Sequence, residues 1–339
     1  MEIFDVIIVG AGPGGLRCAE ILAESKLKVL LLEQNKVIGP KVCAGGIFQK
    51  AVDYLNLPKE LIEHKYREWK LHTPLTKTSI KHTHYIIERE RLGQWQLSKL
   101  KKTDVVVKTN SRVTKIEKNK IIVNNKKTFG YKYLVGADGS SSIVRRHLSI
   151  KTEKMGVGIQ YIIPTKKYKD IKIFQDTKLF DVWYAWIFPH KNYVSIGTAG
   201  DPKFLKNLNT NFNKWLKMKN IDISKAEYQA HPINTDFRGY KFGNIFLVGD
   251  AAGLASILTG EGIYPALVSG EEIAKIIIDK RYISKKMGEL IKTNKIHHTL
   301  VNIALRMGPF KKAVIELLAL MTKNKWFAKF WYKHIIDRK

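Results

Sequence analysis

Two cysteines in 339 residues, Cys18 and Cys43, exclude a disulfide framework and fit a reducing compartment. No uncharged apolar run approaches the roughly 18 residues that span a bilayer. The best stretch, 313–321, is short and carries Glu316. No charged-then-apolar leader precedes Asp5, so no secretory signal is expected and the chain reads as cytoplasmic. Internal repeats and low-complexity linkers are missing as well, which predicts interleaved domains that share boundaries. No cluster with metal-ligand spacing occurs, so no metal is expected.

Acidic residues are scarce, 30 against 59 Lys and Arg, for a net charge of +29. Lysine is spread along the whole chain, and no helix-turn-helix, zinc-finger or RNA-recognition signature accompanies it, so no nucleic-acid partner is expected. From Arg281 to Lys339, however, 14 Lys or Arg stand against 3 Asp or Glu. That tail ends in WFAKFWYKHIIDRK, where Trp326, Phe327, Phe330, Trp331 and Ile335 can share a helix face beside Lys325, Lys329 and Lys333. Such a helix suits peripheral contact with the inner face of an anionic membrane. It suits equally a terminal helix docked on the core with a solvated lysine face, and periodicity does not separate the two.

What is present begins with an apolar run, Val6 to Val9, followed by Gly10, Gly12 and Gly15, with Pro13 and Gly14 between them, and a helical segment from Leu16 to Glu24. Glycines at this spacing let the strand turn tightly and bring backbone amides against a pyrophosphate at the positive end of a helix. Glu33 lies 18 residues beyond Gly15, at the end of the strand Lys28 to Leu32, where a carboxylate accepts hydrogen bonds from ribose hydroxyls.

The remaining elements read as a Gly-containing loop at 39–46, a helix over 89–100, and short strands near 105–108, 112–118 and 120–124. A compact apolar strand over 131–137 runs into Asp138. From 156 to 199 the pattern alternates and is aromatic-rich, as antiparallel strands facing a pocket would be. A helix over 202–217 and strands at 227–231 and 244–248 follow, with helix from Gly262 onward. Asp250 ends its strand within NIFLVGDAAG, before a small-residue helix start. Asp138 and Asp250 are therefore candidates to hold ribose or ribitol hydroxyls, with Gly249 approaching a pyrophosphate.

Together these segments resemble the FAD enzymes that include aromatic hydroxylases, flavin halogenases and geranylgeranyl reductases. The segment KVCAGGI, with Cys43, Gly45 and Gly46, is similar to the cysteine-glycine-glycine segment of geranylgeranyl reductases. YAWIFP, with Tyr184, Trp186, Phe188 and Pro189 and with Gly197 beyond, is similar to their Y-x-W-x-F-P motif. Gly260-Glu261-Gly262 resembles the family's G-E-G turn, and Arg89 falls where relatives keep an arginine near the cofactor. The likeness spans roughly residues 1–280. It departs at His190, where a lysine or asparagine often stands, and at Gly197-Thr198-Ala199-Gly200, where the second glycine is displaced.

The resemblance implies an α/β fold: a three-layer, Rossmann-like FAD-binding domain (1–60, 86–150 and 240–280) with an inserted antiparallel β-sheet substrate domain (61–85 and 151–239) and a basic helical C-terminal region (281–339). It implies FAD as cofactor and reduction of carbon-carbon double bonds in an isoprenoid chain, carried by a diphosphate or a prenylated membrane lipid. The electron donor is NAD(P)H or a ferredoxin, since only one dinucleotide fingerprint is present. Free thiols are mostly protonated at neutral pH, which makes Cys43 the candidate for proton delivery or for positioning the flavin face, against the alternative of a small buried hydrophobe. Two glycines after it allow the backbone to approach a flat ring. Tyr184, Trp186 and Phe188 share parity and would wall an apolar substrate channel or an ordinary core. The rival readings are a flavin monooxygenase or halogenase acting on an aromatic ring, although Trp183 and Trp186 lack the halogenase W-x-W-x-I-P spacing, and a non-enzymatic prenyl carrier of the same fold.

Overall fold

The computed structural model describes residues 1–337. At its centre lies Glu2–Val9, whose last four residues are nearly inaccessible to water. A strand covered on both faces is apolar throughout, as parallel strands in α/β proteins are. It pairs in parallel with Val29–Leu32 on one side and with Lys127–Gly136 on the other. Val106–Lys108 extends the sheet beyond the first neighbour and Ile245–Leu247 beyond the second. The chain therefore departs to both sides of Glu2–Val9, and the crevice beyond its carboxyl end is where such sheets take ligands.

Pro13 opens the helix Pro13–Leu22, a position that suits its missing N–H and fixed φ. This helix packs on Ile263–Ile278. A Cβ on Gly270 would meet Gly14 O at 2.2 Å, so glycine at both positions sets how closely the two helices approach. The hairpin Val113–Glu117 and Lys120–Val123 grows from Lys127–Gly136 and joins the same core.

A second sheet of seven strands contains Met155–Ile163, Ala185–Pro189, Val194–Gly200 and Glu227–Asn234, all antiparallel to their neighbours. Lys172–Phe174 joins in parallel to Trp69–His72, so the inserted sheet is mixed at one place. The helix Leu205–Met218 covers it with Leu208, Phe212, Trp215 and Leu216. The alternating aromatic region is not strand throughout. Asp176 caps the short helix Thr177–Phe180, Asp181 adopts a φ of 55°, and Tyr184 precedes its strand. A third, small sheet joins Gly46–Phe48, Ile62–Tyr66 and His84–Ile87, drawing strands from both sides of the boundaries expected at 60 and 85.

The tail forms Lys285–Arg306, Lys311–Met321 and Lys325–Trp331. It docks: Ala319 and Tyr332 share an apolar cluster with Leu71 and Ile80 of the inserted sheet, and the Glu316 carboxylate accepts from Thr73 Oγ1 and Leu75 N. The four aromatic residues of the expected tail face divide in two. Phe327 stacks on Trp331 toward the protein, whereas Trp326 stacks on Phe330 and both are exposed. No described helix is long and apolar enough to cross a membrane.

Candidate functional site

One cavity of about 1190 Å³ runs from the Gly10–Gly14 turn to the inner side of the tail. At its first end, Gly10 holds a φ of 100°, and a Cβ there would lie 2.5 Å from Ala137 O. Gly15 is held behind the wall by Gly10 O, 2.0 Å from where its own Cβ would be. Gly12 has open space in front of it, and as N-cap of Pro13–Leu22 it makes no side-chain cap bond. The first amides of that helix thus remain available to an anion. Glu33 lines the same end; one oxygen accepts from Ala11 N and the other from Asn35 N, both at 2.9 Å, leaving a lone pair on each for a hydroxyl. Arg89 begins the helix Arg89–Ser98, and its buried Nε has no protein partner. An open glycine turn, an uncapped helix end and an orphaned guanidinium nitrogen fit the pyrophosphate and nucleoside of a dinucleotide.

The two aspartates part company here. Asp138 lines the cavity, but its carboxylate accepts from Ser142 Oγ (2.6 Å), Ile143 N (2.6 Å) and Val144 N (3.3 Å). It braces the start of Ile143–His147 with one oxygen on two main-chain amides and the other on Ser142. Asp250 accepts from Ser140 Oγ at 3.2 Å and pairs with Lys41 Nζ at 3.0 Å. Burial works to raise the Asp250 carboxyl, but Lys41, with His231 and the Ser140 hydroxyl, holds it below its ordinary value. His231 lines the cavity beside this pair; burial, then Lys41, brings it down to about 4, so it is neutral at physiological pH.

Gly249 has a φ of 55° and packs on Ala266. Gly260, Glu261 and Gly262 line the cavity where Ile263–Ile278 begins, again without a side-chain cap, so the positive helix end faces the interior. Glu261 pairs with Lys50 at 2.9 Å, and Lys50 lies 3.3 Å from Asp337. Burial pushes the Glu261 carboxyl up to about 7 despite Lys50. A carboxyl raised above 4.5 in the folded state contributes stability that is complete below about pH 4.5 and lost as pH rises through about 7. Glu261→Gln should therefore flatten the fall in Tm between pH 5 and 8; parallel melting curves for variant and wild type would contradict this.

The second end is apolar. Tyr184, Trp186 and Phe188 all line it. Tyr184 donates its hydroxyl to Thr259 O at 2.7 Å, and burial pushes that phenol up to about 12. The opposite wall comes from the tail, with Leu318, Phe327, Trp331 and Tyr332. The sequence did not mark Leu318, Tyr332 or His231; Lys41 stood in KVCAGGI without a role, and Phe327 and Trp331 were expected only on an amphipathic tail face. Cys43 is half-buried on the wall between the two ends. The glycines after it face protein rings: a Cβ on Gly45 would lie 2.4 Å from the His190 imidazole, and one on Gly46 2.6 Å from the Phe188 ring. The flat groups that require these glycines are thus side chains of the YAWIFPH segment, and the two motifs interlock. Among the described residues no cluster could hold a metal ion.

Comparison with known proteins agrees with this geometry. The FAD binding domain family matches residues 4–268. The chain is 27% identical over 361 residues to the chloroplastic geranylgeranyl diphosphate reductase of Arabidopsis thaliana, covering 92% of this chain and 76% of that one. It is 28% identical over 309 residues to the digeranylgeranylglycerophospholipid reductase of Methanococcus vannielii, covering 83% and 79%. A geranylgeranyl bacteriochlorophyll reductase-like structure from Thermoplasma acidophilum superposes with a TM-score of 0.83 at 19% identity, over 100% of this chain and 98% of that one. With the cradle and the mixed sheets, these likenesses identify the chain as a member of the FAD binding domain family, an FAD-dependent oxidoreductase similar to geranylgeranyl reductases.

Proposed function

We propose that the protein reduces carbon-carbon double bonds of a geranylgeranyl chain, carried by a diphosphate or by a membrane lipid. The observation that carries this reading is the continuity of the cavity: a dinucleotide cradle at one end opens without a break into an aromatic and aliphatic chamber. FAD, when bound and reduced, supplies the hydride chemistry. The chain's own residues do the rest. Gly12, the Pro13–Leu22 helix end, Glu33 and Arg89 hold the dinucleotide, with Asp250 and the Gly260–Gly262 turn at its other end. Tyr184, Trp186 and Phe188 align an apolar chain and exclude water. Cys43 supplies a proton to the alkene carbon that does not receive hydride. Electrons arrive from outside the cradle, from NAD(P)H or a ferredoxin. Anaerobic turnover with geranylgeranyl diphosphate or its glycerol ethers tests the reading. A product heavier by two hydrogens per reduced bond supports it; oxygen uptake stimulated by an aromatic substrate, with the prenyl compound unchanged, favours a monooxygenase.

The tail adds membrane contact to this proposal. Phe310, Leu317, Trp326 and Phe330 are 72, 57, 74 and 45% exposed, with Lys312, Lys323, Lys325 and Lys329 exposed along the same stretch, while the inward residues of these helices line the cavity. An aromatic and basic surface backed by a lipid chamber suits an anionic bilayer. Trp326→Ser with Phe330→Ser should abolish most co-sedimentation with anionic liposomes, and raising salt should weaken wild-type binding. Binding that ignores both changes would rule the tail out as an anchor.

A further inference from the structure

Three consecutive carbonyls of the Cys43 segment are each held by a donor from a different part of the chain. Cys43 O accepts from Gln160 Nε2 at 3.4 Å, Ala44 O from His190 Nε2 at 3.0 Å, and Gly45 O from Ile87 N at 3.0 Å. Within the segment, Gly45 N points at Cys43 Sγ, 3.4 Å away. Each clamp is itself oriented. Gln160 is 2% exposed, a polar residue inside an apolar strand. Its Oε1 accepts from Ser195 Oγ, which accepts from Trp186 Nε1, both at 2.9 Å, and its Nε2 also donates to Gln229.

His190 is 5% exposed and stacks on Tyr193, with ring centroids 4.2 Å apart and planes 13° apart. Its Nδ1 lies 2.8 Å from a Glu63 carboxylate oxygen. The ring is thus set between a carboxylate oxygen and a main-chain carbonyl, one against each nitrogen. Burial opposes ionisation of Glu63, but the His190 hydrogen bond and charge, with Lys191 N–H, hold its carboxyl below the usual range. Gly45 lets this ring lie against the loop, since any Cβ there would displace it. His190 thus fastens the end of the YAWIFPH strand to the loop that carries the thiol.

We propose that His190, with its Glu63 partner, and Gln160 are positioning residues that fix the Cys43 thiol on the cavity wall. The inference rests on the reading that Cys43 acts on a substrate in this cavity. Cys43 alkylation by iodoacetamide in the flavin-loaded full chain tests it, because Cys18 is fully buried and stays silent. His190→Leu and Gln160→Leu should each change the alkylation rate about 10-fold and lower kcat for prenyl reduction about 10-fold, with KM within about twofold. His190→Gln, whose amide can donate to both acceptors, should restore most of both values. Wild-type alkylation rates in both leucine variants would overturn the proposal, and if His190→Leu does not fold, a wild-type rate in Gln160→Leu alone does so. A shifted alkylation rate in a protein that reduces no prenyl substrate would support the positioning role while removing the substrate reading.

Discussion

Cys43→Ser is expected to slow alkene reduction by about 100-fold or more while flavin stays bound at wild-type occupancy. A positioned proton donor contributes about 10²–10⁴-fold, and serine, though close in size, is a far weaker acid at neutral pH. The thiol lies on the wall between the cradle and the aromatic chamber, held by its own loop through Gly45 N, so the substitution should leave the backbone clamps intact. The loss should appear in kcat with KM little changed, because a proton donor acts in the transition state and not in ground-state binding. Full retention of alkene reduction would remove the assigned role and leave the residue a small filler of the wall.

Arg145→Leu is expected to cost about 3–5 kcal/mol, the range for breaking a buried charge pair, and to lower Tm by about 5–10 °C. Arg145 is 2% exposed. Its guanidinium donates to Ala251 O (3.3 Å), Lys151 O (3.2 Å) and Asp236 O (2.8 Å), and faces the Asp236 carboxylate at 3.6 Å. Leucine would leave these buried carbonyls without a donor, and each such loss carries a desolvation penalty. The damage falls on the cofactor site because Ala251 belongs to the turn that presents Asp250, while Arg145 itself sits on the helix whose first amides Asp138 holds. A melt followed by flavin fluorescence should show flavin release and unfolding together at the lowered temperature. Unchanged melting and flavin content would contradict this account of the site's foundation.

What was legible in the sequence was local. Gly10 to Gly15 and Glu33 sit within one strand-helix-strand unit, so spacing alone placed them at a single end of the cavity. The apolar run at 6–9 and the strand expected at 244–248 both fall in the parallel sheet, where burial on both faces demands uninterrupted apolar residues. Roles that depend on distant partners were not legible. Asp138 follows a strand as Asp250 does, yet one braces the first amides of the helix Ile143–His147 and the other meets Lys41 from more than two hundred residues away. The glycines after Cys43 suggested a cofactor ring, whereas the rings they admit belong to His190 and Phe188. His190 stood out only as a departure from the family pattern; its partners Glu63 and Ala44 lie more than 120 residues upstream. Gln160 could have been suspected, since a glutamine in an alternating apolar strand needs a buried partner. The tail read as one aromatic face, but in the regular helix Lys325–Trp331 neighbouring residues point about 100° apart, so the 326/330 pair turns to solvent and the 327/331 pair to the cavity; Tyr332, in the wider turn Tyr332–Ile336, faces inward and bonds His84.

The most direct measurement is the visible spectrum of the flavin-loaded protein, reduced anaerobically with dithionite and then mixed with geranylgeranyl diphosphate or its lipid ethers. The oxidised flavin spectrum is expected to return without oxygen, in step with a product heavier by two hydrogens. Reduced flavin that stays bleached with every prenyl compound and recovers only on admitting oxygen would contradict it.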